Sequence, residues 1–229
     1  MLKVRSTQLE RIDSLGISSR DIRHSLDFLV FVNTFFGGTQ VVLDYFDKNK
    51  TPQKFTVLDL GSGGGDIPFA LTQWAAKRGK EIWVTAIDLN PHCQAYASVR
   101  FASSRIRFLK HSAFELATLG PFDYIISSMF FHHLSDEEIT RLLKLIHRQS
   151  RLGFLISDLY RGYRNYFGAI LLSCLSLKKT VYHDAKLSVS RAFKKKDFIY
   201  YKEKTGIPFK IERKPVFRIL MNRHDSCSD

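Results

Sequence analysis

The chain has 229 residues, 45% hydrophobic and 25% charged, enough for one domain to bury a full core without disulfide or metal staples, and collagen-like, disordered and disulfide-miniprotein classes are excluded. Its net charge of +13 is unevenly spread, since residues 1–140 carry 15 basic and 15 acidic side chains whereas residues 141–229 carry 20 and 7. A neutral front joined to a basic back points to two different tasks rather than to general polyanion binding.

Three cysteines, Cys93, Cys174 and Cys227, show no CxxC spacing, which fits a reduced, intracellular compartment. The opening MLKVRSTQLERIDSLG lacks the apolar stretch of a secretory signal. The longest nearly uncharged apolar run, Tyr166 to Leu177, has 12 residues, short of the ~20 that a spanning helix needs. The expectation is a soluble, cytoplasmic protein with that run buried or lying against an apolar surface at the inner membrane face.

Residues 20–46 are helical in pattern, with Ile22, Leu26, Leu29 and Val30 and then Val41, Val42, Tyr45 and Phe46 at apolar positions, broken by Asn33-Thr34-Phe35-Phe36-Gly37-Gly38. Strand and helix signals alternate from Phe55. A strand at 55–60 leads through glycines into a helix with Pro68 in its first turn, Ile67, Leu71, Trp74 and Ala75 on one face, and Gly79 as its stop. A strand at 82–88 precedes a helix capped by Asn90-Pro91 that runs to about Arg100. Strands follow at 106–110 and 122–128, and Ser135 to Glu138 forms a capping box for a helix to about Ser150. A strand at 153–158, an apolar helix at 163–177 and a basic helix at 193–205 stopped by Gly206 come next. Phe209 to Arg213 and Val216 to Met221 close the chain as two strands around Pro215. This order predicts an α/β fold with a doubly wound, mostly parallel seven-stranded sheet. With no helix between them, the last two strands pair as a hairpin and give the sheet an antiparallel last strand.

The segment Val57-Leu58-Asp59-Leu60-Gly61-Ser62-Gly63-Gly64-Gly65-Asp66 puts glycines at a strand end, where the backbone turns tightly and approaches a ligand. A dinucleotide fingerprint needs glycine where Asp66 stands, and Asp59 and Asp66 would repel a pyrophosphate. The loop suits a phosphate-free, cationic ligand, and S-adenosylmethionine (SAM), with its ammonium and sulfonium, fits.

On this motif the chain resembles the class I SAM-dependent methyltransferases, from about Asn33 to Met221. The resemblance implies SAM as cofactor, S-adenosyl-L-homocysteine as product, and a cofactor site of Asp59, Gly61, Ser62, Gly63 and Gly65. It gives Asp88 the ribose hydroxyls, whose diol matches two acceptor oxygens, and sets Leu89 beside the adenine. Where many relatives carry Gly-Asp after the third strand, this chain has His111-Ser112-Ala113, so Ser112, with Ala113, or a backbone group takes that role. Asn33 lies in a segment resembling the cover over the methionine end.

Ser127-Ser128-Met129-Phe130-Phe131-His132-His133-Leu134 resembles the fourth motif of small-molecule methyltransferases, notably the ubiquinone/menaquinone C-methyltransferase-like group, with Ser128 on the cofactor side. The Asn/Asp-Pro-Pro-Tyr/Phe tetrapeptide of base-methylating enzymes is absent, which makes nucleic acid the weaker partner. His132 or His133 has a pKa range suited to deprotonating a phenol or enol, although paired histidines also cap and pack. In Asp158-Leu159-Tyr160-Arg161 and Tyr182 to Phe193, Tyr160, Arg161, Asp184 and Arg191 are candidates to meet an aromatic, quinone- or polyketide-like acceptor, and His183 is a further catalytic candidate that with Asp184 would orient an acceptor hydroxyl, with a solvated loop as the alternative. No metal is expected, because no His/Cys or carboxylate cluster stands at ligand spacing.

The expected organisation is one domain over 1–229, with an N-terminal helical cover at 1–50, a SAM-binding core at 51–158, and an acceptor lid with the C-terminal strands at 159–229. The expected reaction is methyl transfer to an oxygen or carbon of a small apolar aromatic acceptor, anionic or membrane-derived, presented by an anionic membrane surface or an acidic carrier. An RNA methyltransferase, argued from charge, and a SAM-binding protein without turnover are the alternatives.

Overall fold

Seven strands, β1 (Lys54–Leu60), β2 (Glu81–Asp88), β3 (Ile106–Lys110), β4 (Phe122–Ser128), β5 (Ser150–Leu159), β6 (Lys210–Lys214) and β7 (Arg218–His224), form one sheet in the order β3-β2-β1-β4-β5-β7-β6. The structure is a computed structural model that describes residues 2–13, 17–215 and 217–225. Strands β1 to β5 are mutually parallel, while β7 runs antiparallel to both β5 and β6. The hairpin inferred from the missing helix is therefore present, and it seats its second strand between β5 and β6. Val216, where the last strand was expected to begin, and Cys227 lie outside the described residues.

Helices α1 (Ser19–Phe35) and α2 (Gly38–Lys48) precede the sheet, and α3 (Asp66–Lys77), α4 (Pro91–Arg100) and α5 (Asp136–Gln149) connect its strands. After β5 come α6 (Tyr163–Cys174), α7 (Lys179–Arg191) and α8 (Lys195–Thr205). The caps act as their residues dictate. Asn90 accepts the His92 N–H, Ser135 and Glu138 close a capping box, and Gly206 ends α8 in the left-handed conformation. Alternate strand residues feed the two faces. Leu58, Ile125, Phe154 and Ile156 pack with α5 and α8 through Leu142, Ile146, Phe198 and Tyr201. Val57, Tyr124, Ile126 and Leu155 pack with α2 and α3 through Val42, Phe46, Leu71 and Trp74.

The stretch with a solvated loop as its alternative is α7. Its buried positions are Val181, Asp184, Leu187, Ser188, Val189 and Arg191. Half of them are polar, so hydrophobic periodicity gave no helix signal there. α6 stops at Cys174, short of the expected Leu177, because the chain turns at 175–177 with Leu177 at φ 53°. The strand order reverses at β1 and β4, which makes the crevice at their carboxyl ends the expected ligand site.

Candidate active site

At that crevice β1 turns through the glycine loop into α3. Gly61, Gly63 and Gly65 adopt φ of 67°, 49° and 80°, a region that L side chains resist. A Cβ at Gly65 would lie 2.7 Å from Ala97, and one at Gly61 would lie 2.5 Å from the Phe130 ring. At Gly63 the nearest neighbour is Leu26 Cδ2 at 3.9 Å, so its bareness leaves room for a ligand. The Gly63 N–H donates to Asp88 Oδ2 at 3.0 Å and the Asn90 N–H to Asp88 Oδ1 at 2.9 Å, which ties the end of β2 to the loop.

Three carboxylates gather there. Burial pushes Asp59 well above the usual carboxylate range, and the neighbouring Asp66 and Asp88 push it further. Burial raises Asp66 to about 6, against its own backbone N–H, Asn33, Arg218 and Arg100. Burial also raises Asp88, with the Asn90 and Gly63 N–H groups, His133 and Cys93 pulling the other way. Asp66 Oδ2 has no hydrogen-bond partner, and Asp59 meets no donor or cation among the described residues. Asp59 thus lacks a positive partner. The ammonium and sulfonium of SAM supply it, so the donor set fits this cofactor.

From Asp66 a polar chain runs inward. Asn33, whose side chain helps to lower the Asp66 pKa, accepts from Arg218 Nη2 at 2.9 Å, and Arg218 Nη1 reaches Ser128 Oγ at 3.4 Å. Burial lowers the Arg218 pKa to about 10, with Asp158 and Asp66 resisting, so the guanidinium stays charged. Asp158, fully buried, accepts from His132 Nδ1 at 2.8 Å and from the His132 N–H at 3.1 Å. On its other side His132 Nε2 stands 3.4 Å from Glu10 Oε1, and Glu10 Oε2 accepts from Ser188 Oγ. Burial disfavours charge on this imidazole, but Asp158 and Glu10 override it and hold its pKa up at about 10. The His133 ring lies 4.3 Å from that of His132.

Above this network lies an apolar cavity of about 110 Å³. Phe28, Leu29 and Val32 of α1, Ala169 and Leu172 of α6, and Val181 of α7 wall it, with Glu10, Asn165, Asp184 and Ser188 as polar points. Met129 and Phe217 also line it, at φ 58° and 75°. Non-glycine residues held in that region store strain and cluster at active sites and ligand clamps.

The structure gathers Asn33, Asp59, Gly61, Ser62, Gly63, Gly65, Asp88 and Ser128 about the loop and its polar chain. Leu89 stands exposed beside them, and Ser112 caps the 3-10 turn that begins at buried Ala113. The acceptor-side candidates are engaged in the following contacts. His132 has both ring nitrogens facing carboxylates, Asp158 at 2.8 Å and Glu10 at 3.4 Å, which hold its pKa up and favour the imidazolium. Arg161 is buried and spends its guanidinium on the Ala192 carbonyl and on Asp197, the latter at 3.0 Å. Arg191 ties the carbonyls of Gln8, His132 and His133. Tyr160 packs under the Arg213 guanidinium at 3.9 Å, and His183 pairs with Asp184; neither lines the cavity. Asp184 does line it, but its oxygens also hold the Arg11 and Ile12 N–H groups.

Glu10, Arg5 and Arg218 were not anticipated. An arginine inside the apolar Val216 to Met221 stretch was the signal for Arg218, because a buried guanidinium demands acids. Glu10 carried no signal. The expectation that no metal-ligating cluster exists also needs amending: Glu10, His132 and His133 bring ligand atoms within 4.8 Å of one another. A metal ion there would have to displace the proton that His132 shares with its carboxylates.

Residues 57–153 match the sequence model of a methyltransferase domain family, and no curated protein matches the chain. The chain shares its fold with a SAM-dependent methyltransferase from Aquifex aeolicus at 19% identity and a TM-score of 0.61, covering 90% of this chain and 98% of that one. The magnesium protoporphyrin IX methyltransferase from Synechocystis PCC 6803 with bound SAM matches at 15% identity and a TM-score of 0.54, covering 94% and 88%. The plantazolicin methyltransferase in complex with S-adenosylhomocysteine matches at 14% identity and a TM-score of 0.58, covering 90% and 87%.

Proposed function

We propose that this SAM-dependent methyltransferase, with its methyltransferase domain at residues 57–153, transfers the methyl group to an oxygen or carbon of a small apolar acceptor seated between α1, α6 and α7. The observation that carries the cofactor half is the trio of buried acids Asp59, Asp66 and Asp88, short of positive charge beside a glycine that leaves space. Bound SAM supplies a methyl group activated by the sulfonium. Asp59 and Asp66 offset the ligand's positive charge, and Asp88 keeps lone pairs for the ribose diol beyond the two backbone N–H groups it already accepts.

The cavity supports an apolar acceptor of the phenol, quinone or polyketide kind, as in the ubiquinone/menaquinone C-methyltransferase-like group. Its walls exclude water and align the acceptor, which is most of what the protein contributes to an in-line displacement. His133 does not line the cavity itself, but its ring lies within 4.8 Å of the cavity-lining Glu10, and it is the base for an acceptor that must lose a proton. His132 is a positioning residue: its imidazolium holds Asp158 and Glu10 and so fixes the floor of the cavity.

Incubation with SAM radiolabelled in the methyl group and a fractionated host extract tests this reading. Label is expected in the organic-soluble small-molecule pool. Label in RNA overturns the acceptor class, and tight SAM binding with no label in any pool overturns turnover itself.

A further inference from the structure

The outer face of α6 is apolar and uncovered. Tyr163, Phe167 and Leu171 recur every fourth residue and are 61%, 65% and 73% exposed, and Leu175 continues the row into the following turn at 68%. The helix turns its other side inward, with Tyr166 and Ser173 buried and Ala169 and Leu172 lining the cavity. Beyond it the chain holds Leu177 at φ 53° and leaves it 91% exposed. Left-handed backbone is unfavourable for a leucine, and here it presents an apolar side chain to water. Exposed apolar surface of this extent marks a site that something covers.

The chemistry of the rim says what. Arg164, Lys178 and Lys179 flank the row, are exposed, and make no ion pair among the described residues. Across the cavity α1, whose Phe28, Leu29 and Val32 wall it, carries Phe31 and Phe35 outward at 37% and 72% exposure. Both helices that wall the cavity therefore continue onto the surface as apolar faces. No single described helix is long and apolar enough to cross a membrane. An apolar row with a cationic rim matches the headgroup level of an anionic bilayer, where stems and rings bury while ammonium and guanidinium groups meet phosphates.

We propose that the outer face of α6, with the turn at 175–179, docks this protein on an anionic lipid surface, from which the apolar acceptor passes into the cavity. The docking stands on this surface alone, and the passage of the acceptor rests on the function proposed above.

Co-sedimentation of the full chain with vesicles of phosphatidylcholine alone, or mixed with phosphatidylglycerol, tests the docking without reading turnover. Wild type is expected to pellet with the mixed vesicles, with roughly tenfold or greater loss of binding in the double variant Lys178→Glu, Lys179→Glu, each lysine near the surface counting for about one power of ten or less. The variant Leu171→Asp, Leu175→Asp is expected to stay in the supernatant while keeping wild-type SAM affinity in calorimetry, which shows that it is folded. Wild type remaining in the supernatant with both vesicles, or the aspartate variant pelleting like wild type, overturns the proposal. So does a wild-type dimer in the ultracentrifuge that the aspartate pair converts to a monomer, because a second copy then covers the row. Label in the small-molecule pool with no vesicle binding would remove the docking and leave the methyl transfer standing.

Discussion

Asp59 is where folding and ligand binding pull in opposite directions. Its carboxyl is buried beside Asp66 and Asp88 without a cation, so Asp59→Asn removes an unmet charge. The expected result is a higher melting temperature for the free protein and a SAM affinity lowered by roughly 10- to 100-fold, the scale of a charged hydrogen bond. Thermal shift with and without SAM reads both effects, and a variant that loses stability in both states would count against the assignment. The two adjacent histidines separate in the same manner. His132→Ala takes from buried Asp158 and Glu10 the imidazole that faces both of them, which costs about 3–5 kcal/mol in denaturant unfolding. His133→Asn is expected to keep the unfolding midpoint and SAM affinity while lowering kcat by about 100-fold or more. The sequence offered these neighbours as equivalent, whereas they differ in burial and partners.

Among elements, the N-terminal segment gains most from the tertiary structure. Its Arg5 donates to the carbonyls of Arg191, His132 and Leu134, pairs with Asp136 at 2.9 Å, and stacks on Phe193 at 4.6 Å. Glu10 and the Arg11 and Ile12 N–H groups fasten the same segment to His132, Ser188 and Asp184. It straps the turn at Phe131–His133 to α7. Arg5→Ala is therefore expected to cost about 2–3 kcal/mol, several hydrogen bonds to one charged group. Limited proteolysis should cut the strap first, with turnover falling more than SAM binding. Equal resistance to protease in variant and wild type would show that the strap does not depend on Arg5. Periodicity read α1 to α6 and α8 because apolar stripes and caps are local signals. The strap and α7 escaped it because their inward faces carry arginine, glutamate, aspartate and serine, whose burial only partners from elsewhere make tolerable.

At the scale of the molecule, the charge division takes on a narrower meaning. Three cations of the basic half, Arg161, Arg191 and Arg218, are buried in structural ties, so only the remainder is offered to a partner. The neutral half concentrates acids at the loop, and this predicts a pH dependence. Asp66 has a folded pKa of about 6, above its ordinary value of 3.8, so its contribution to the stability of the free protein is complete below that value and is lost as pH rises through 6. A cationic ligand favours the ionised form. SAM affinity is accordingly expected to rise between pH 5 and 7 in calorimetry, and a flat profile would sink the acid-cluster reading. His132, held up at about 10, contributes stability that is complete below its ordinary 6.5 and fades as pH climbs toward 10.

The succession of strands and helices, the glycine turn, the capped helices and the antiparallel ending were legible in the sequence, because each depends on residues within one turn or one strand of each other. The hairpin followed from a connection too short for a helix, and the phosphate-free ligand from an aspartate where a dinucleotide site needs glycine. Only the tertiary structure could join Glu10 to His132, Asn33 to Arg218, and Arg5 to the turn at Phe131–His133. Those partners lie on different elements, far apart along most of the chain, and whether a charged side chain is a base, a clamp or a ligand contact depends on its burial and on the charges facing it. Neither quantity has a local signature, so the same residue letters that identified the cofactor loop left the acceptor side to be decided by packing.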